Sequence, residues 1–141
     1  MNRFLRFLFG GDDEAPPPPP LEDAAKLRNS DPLEAVRILR EYLNENPGEP
    51  QAMLGIAEIY EQNLHNPLAA ALEYEELLKQ KLDPERWGGF AIHLTNLYIR
   101  LKQPDKAVAL LRRIDQECAN TAAAAKARKH LDQVDESEVS P

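Results

Sequence analysis

Three histidines, one cysteine and a short acidic cluster are the side chains of this 141-residue chain best equipped for chemistry. His65, His93 and His130 stand 28 and 37 residues apart, and none has a second ligand three or four positions away. A zinc site needs such converging donors, so no metal is expected. Glu73, Glu75 and Glu76 crowd together, but Glu75 and Lys79 form an ordinary i,i+4 pair on a wet helix face, and nothing nearby would raise a carboxyl pKa for acid–base work. Cys118 continues the apolar stripe Ala107, Leu111, Ile114 and reads as buried filler near a helix end. Gly10-Gly11 and Gly88-Gly89 are too short to cradle a phosphate. The expectation is a protein with no catalytic residues, no metal and no cofactor, hence not an enzyme.

Composition narrows the partners. Seventeen Lys plus Arg against 24 Asp plus Glu give a formal net charge of -7, which argues against a sequence-independent grip on nucleic acid. The single cysteine excludes an internal disulfide framework and fits a reducing compartment. No stretch approaches the roughly 20 apolar residues of a membrane-spanning helix. A cytoplasmic protein is expected, one that at most touches the inner face of the membrane.

The prolines show which elements position these residues. Asp31-Pro32, Asn66-Pro67 and Asp83-Pro84 each set a side-chain acceptor before a proline, the chemistry of an N-cap followed by a first helical residue that needs no N–H. Glu49-Pro50 and Gln103-Pro104 are weaker versions, and Asn46-Pro47-Gly48 reads as a turn. Pro32 to Pro67 is 35 residues, Pro67 to Pro104 is 37 and Pro50 to Pro84 is 34, so two interleaved series share one period. That period suits a repeated helix, turn, helix unit that buries its apolar face only by stacking on its neighbours. Helical spacing predicts helices over 21–29, 32–45, 50–64, 67–80, 84–101, 104–118 and 121–134. No segment alternates with period two.

The residues on these helices resemble the tetratricopeptide repeat. Ala35-Leu39-Tyr42, Ala70-Tyr74-Leu77 and Ala107-Leu111-Ile114 match the small, large, apolar spacing of the family's second helix, while Met53-Ile56-Ala57-Tyr60 and Ala91-Leu94-Thr95-Tyr98 match its first. The resemblance, to a small bacterial-type member of that family, covers 21–135. It implies an all-α, right-handed helical-hairpin solenoid of about three helix pairs plus a C-terminal capping helix. It also implies a scaffold or adaptor that binds a protein or peptide partner in a concave groove, where Leu54, Glu58, Ile92, Asn96 and Arg100 would face the partner, with Glu61 or Gln62 beside them. A clamp for a terminal carboxylate is not implied, because Leu54 and Ile92 stand where cations would be needed. Trp87-Gly88-Gly89 opens the third repeat. Two glycines in a first turn suggest a close visitor, either a neighbouring helix or a bound peptide for which Trp87 would be an anchor.

Both ends fall outside the repeats. Residues 1–20 are expected to form a flexible arm, with a short amphipathic segment over 1–11 and a polyproline spacer over 16–20, and residues 136–141 a disordered tail. The first eleven residues hold three of the four phenylalanines. On a helical wheel Phe4, Leu5 and Leu8 share a face opposite Arg3 and Arg6, a pattern suited to a bilayer surface, to a partner's groove, or to no contact at all. Two further functions therefore stand beside the adaptor: a peripheral membrane-associated assembly factor docked by this segment, and an accessory subunit of an enzyme complex.

Overall fold

In the computed structural model, which describes residues 16–139, the proline positions become helix starts. The helices are α1 (Pro19–Leu27), α2 (Pro32–Glu45), α3 (Pro50–Glu58), α4 (Pro67–Leu77), α5 (Pro84–Arg100), α6 (Pro104–Glu117) and α7 (Ala122–Val139), with a π-helical turn at Ile59–Asn63 continuing α3. The described residues are thus all-helical, with no strand. None of these helices is long and apolar enough to cross a membrane.

Each of α1 to α6 begins on a proline, whose fixed φ suits the first turn and whose missing N–H would have had no helical partner there. Side-chain caps precede several of them. Asp31 Oδ1 accepts from the Glu34 N–H (3.2 Å), Asn66 Oδ1 from Ala69 (3.0 Å) and Asp83 Oδ1 from Arg86 (3.0 Å). Glu49 Oε2 accepts from Ala52 at 3.0 Å, whereas Gln103 makes no side-chain cap. Thr121 Oγ1 accepts from Ala124 (3.1 Å) at the head of α7. Gly48, at φ 76°, supplies the left-handed residue that the turn after α2 requires.

Several boundaries differ from the sequence expectation. The last two prolines of the run at 16–20 belong to α1 and not to a spacer, because a helix accepts proline at its first two positions; Pro18, at φ -54° and ψ 144°, is the last extended residue. The segment predicted to run helically to 80 ends at Leu77, and the last helix runs past 134 to Val139.

The chain divides into two compact units, one ending at Leu77 and the other beginning at Leu78. In the first, α1 packs on α2, α2 on α3 and α3 on α4, and α1 also meets α3. Leu21, Ala24, Ala35, Val36, Leu39, Ala52, Ile56 and Ile59 form its core, with Tyr42, Leu43 and Tyr60 packed against it. The fully buried Ala35 and Ala52 have no bulk to hold helices apart, which lets this core close. Arg40 of α2 and Glu73 of α4 join across its surface, a hydrogen bond that holds the Arg40 guanidinium above its usual pKa.

In the second unit α6 packs on both α5 and α7, and α5 also touches α7. Gly88 explains that last contact: a Cβ built on it would lie 2.7 Å from Ala123 Cβ and 3.4 Å from Cys118 Sγ, so only glycine lets the chain after α6 come this close. Leu94, Leu97, Ile114 and Cys118 are among the most deeply buried side chains of the protein.

Candidate functional site

The faces expected to meet a partner lie on α3 and α5, in different units, and each is described by itself. On α3, Leu54 is only 3 % exposed, which corrects its expected role as a groove-lining contact, since a side chain so enclosed has little surface to offer. Glu58 is half-buried and lies 3.7 Å (Oε2 to Nη1) from Arg28, at the C-terminal end of α1.

Arg28 is the centre of a polar cluster at the π turn. Its Nε donates to Asn63 Oδ1 and its Nη2 to Gln62 Oε1, both at 2.9 Å. Asn63 Nδ2 donates in turn to Asn29 Oδ1 at 2.8 Å, so one amide is held at both ends. Tyr74 of α4 senses the same charges: burial pushes its hydroxyl well above the usual tyrosine range, the carboxylates of Glu58 and Glu61 push the same way, and Arg28 opposes them. The sequence reading singled out Glu58, Glu61 and Gln62 but missed Arg28 and Asn63. Their separation of 35 residues, one repeat period, was the available signal.

On α5, Ile92 is half-buried and Asn96 and Arg100 are exposed. Gly89 and Ile99 share this arc of the helix. Ile99 is 52 % exposed, and a Cβ on Gly89 would meet nothing within 4 Å. The two glycines thus separate: Gly88 admits a neighbouring part of its own unit, while Gly89 leaves a bare patch of backbone facing open space.

Trp87 is corrected as well. It is buried, its Nε1 donates to the Leu78 carbonyl at 2.9 Å, and the Arg113 guanidinium stands 5.0 Å from its ring centroid. These contacts spend its hydrogen-bonding edge and one face inside the unit, which makes it an internal anchor and not a contact for a partner. Arg3, Phe4, Leu5, Arg6 and Leu8, the proposed membrane or docking segment, lie outside the described residues, as do residues 140–141 of the tail expected over 136–141, whose residues 136–139 belong to α7.

The groups considered for chemistry are scattered. His65 and His130 are exposed and His93 is half-buried, and among the described residues no three His, Cys, Asp or Glu side chains gather as a metal-binding set. Burial raises the Cys118 thiol above its usual pKa, with Glu117 adding to the shift, so the reactive thiolate is disfavoured. Charge is divided between the units. Residues 16–77 carry twelve carboxylates and four cationic side chains, whereas 78–134 carry eleven cationic side chains and six carboxylates. Compared with protein-family models and with curated proteins, the sequence gives no match.

Proposed function

We propose that the protein is a non-enzymatic interaction scaffold of the tetratricopeptide type, a helical-hairpin solenoid that receives a partner peptide or helix along the outward face of α5. The observation that carries this reading is the arc Gly89, Ile92, Asn96, Ile99 and Arg100. It combines accessible aliphatic surface, an amide, a cation and an uncovered stretch of backbone on one rigid helix. Stacked helices order such a face in advance, so a partner binds without the protein losing much entropy. The helix-pair period of 34 to 37 residues supports the solenoid part of the reading. The surplus of cations in the second unit favours a partner segment with acidic residues.

The test is affinity capture from the native organism with wild-type protein and with an Ile92→Asp, Asn96→Ala double variant whose helical circular dichroism and melting match wild type. Loss of a specific captured protein in the double variant, with capture retained by a single Asn96→Gln variant, supports the proposal. An identical set captured by both proteins removes α5 as the binding face.

A further inference from the structure

The end of α3 carries one residue more than the matching end of α5. His65 adopts a left-handed conformation (φ 50°) five residues after Tyr60, and Lys102 does so (φ 59°) four residues after Tyr98; each lies two residues before the proline that opens the next helix. At the end of α5 the Gln103 N–H donates to the Tyr98 carbonyl at 2.8 Å, five residues back. At the end of α3 the Asn66 N–H reaches the Tyr60 carbonyl, also at 2.8 Å, but six residues back. The surplus residue is taken up by the π turn, in which the Leu64 N–H donates to the Ile59 carbonyl at 2.9 Å.

A π turn is rare because its backbone geometry is inferior to that of an α-helix, so a local one needs outside support. Here the turn packs against α2 and α4, and one side chain of α1 adds a fan of polar contacts to it. Arg28 reaches Asn63 and Gln62 with two arms of its guanidinium and Glu58 with the third, while its side chain stays only 13 % exposed. Asn63 passes the connection on to Asn29. The planar guanidinium matches this fan of acceptors, whereas a lysine ammonium, a single point of charge, would not span it.

We propose that Arg28 is a conformational latch: it holds the end of α3 in the π register and ties that register to the seating of α1. With the latch closed, Glu58, Gln62 and Asn63 are committed to α1. With it open, α3 finishes as an α-helix, the extra residue moves into the segment 64–66, and those three side chains become available to other partners. The device does not depend on the scaffold reading, and its test needs no partner.

The experiment is amide hydrogen exchange by NMR on the full chain, comparing wild type with Arg28→Ala, Arg28→Lys and Arg37→Ala. The last is a control, because Arg37 also makes two carboxylate contacts but on an exposed face, with Glu34 and Glu41. In both Arg28 variants, exchange at Leu64 and Asn66 is expected to accelerate roughly tenfold more than at Ile56 and Tyr74, with Leu101 and Gln103 unchanged. Arg37→Ala is expected to leave all six amides alone. Unchanged protection at Leu64 and Asn66 in Arg28→Lys overturns the latch, as does acceleration spread evenly over Ile56, Tyr74, Leu64 and Asn66, which would mark a general loss of packing. Should the alanine variant fail to fold, the lysine variant alone decides.

Discussion

From Tyr60 the first unit reaches its next helix through a π turn held by Arg28, whereas from Tyr98 the second unit makes the same passage one residue sooner without one. Both passages end in a left-handed non-glycine residue and a helix-opening proline. What differs is the means of support. The first unit adds a fan of side-chain hydrogen bonds from α1; in the second the Lys106 ammonium stands 5.6 Å from the Tyr98 ring centroid. The irregular backbone thus occurs in the passage that a rigid polar side chain of another helix reaches.

Apolar burial still sets most of the stability in both units. Ile56→Ala in the first and Leu94→Ala in the second, at positions 0 % and 1 % exposed, are each expected to cost about 2–5 kcal/mol by urea unfolding. If Arg28→Ala cost more than Ile56→Ala, the polar fan and not the core would be the main support of the first unit. The next largest effect concerns Gly88. Gly88→Ala puts a methyl against Ala123 and forces α5 and α7 apart, at about 1–3 kcal/mol. A neutral Gly88→Ala would show that the approach is softer than its 2.7 Å separation implies.

The sequence made the helices legible because their signals are local. Proline after a capping side chain marks the starts at Pro32, Pro50, Pro67 and Pro84, and the proline alone marks the one at Pro104. The end of α3 was not, since helical periodicity over 50–64 looks the same whether one turn is α or π. The choice there depends on Arg28, which is remote in sequence. Trp87 and Leu54 were misread for a related reason. A resemblance to a repeat places Leu54 on a face, and paired glycines beside Trp87 suggest a visitor, but neither signal says what covers the side chain, and burial of those two follows from the folded chain. Asn96 and Arg100, which the resemblance sets toward a partner, are exposed.

The capped and uncapped helix starts offer a smaller contrast. Asp31→Ala removes the acceptor for the Glu34 N–H and is expected to cost about 1 kcal/mol, while Gln103→Ala, where no side-chain cap exists, should stay within about 0.5 kcal/mol. Equal effects in thermal melts would mean that proline, not the cap, decides where these helices begin. Gly89→Ala should act in the opposite direction from its neighbour. With open space around it, the added methyl restricts the unfolded chain and is expected to stabilise by about 0.5–1 kcal/mol. Were that same change to weaken capture of a partner while raising the melting temperature, the bare backbone at Gly89 would be a contact.

The weakest effect expected is a dependence on pH, and two carboxylates of the first unit pull it in opposite directions. Burial raises the Glu49 carboxyl above its ordinary pKa, and hydrogen bonds from the backbone N–H groups of Ala52 and Gln51 oppose the shift without cancelling it. The folded state therefore holds this proton more tightly than the unfolded chain. The associated stability is present below the ordinary carboxylate pKa and is lost as pH rises through the raised value. Glu34, exposed and hydrogen-bonded to Arg37, is shifted down, so its contribution is present at neutral pH and is lost as pH falls through its lowered value. Glu49→Gln keeps an oxygen for the Ala52 N–H but removes the titration. The stability of wild type relative to Glu49→Gln should accordingly decline as urea unfolding is repeated from about pH 3 to about pH 7. A difference that instead grew with pH would mean that the N–H donors at the head of α3 outweigh burial, and that this cap favours the charged form.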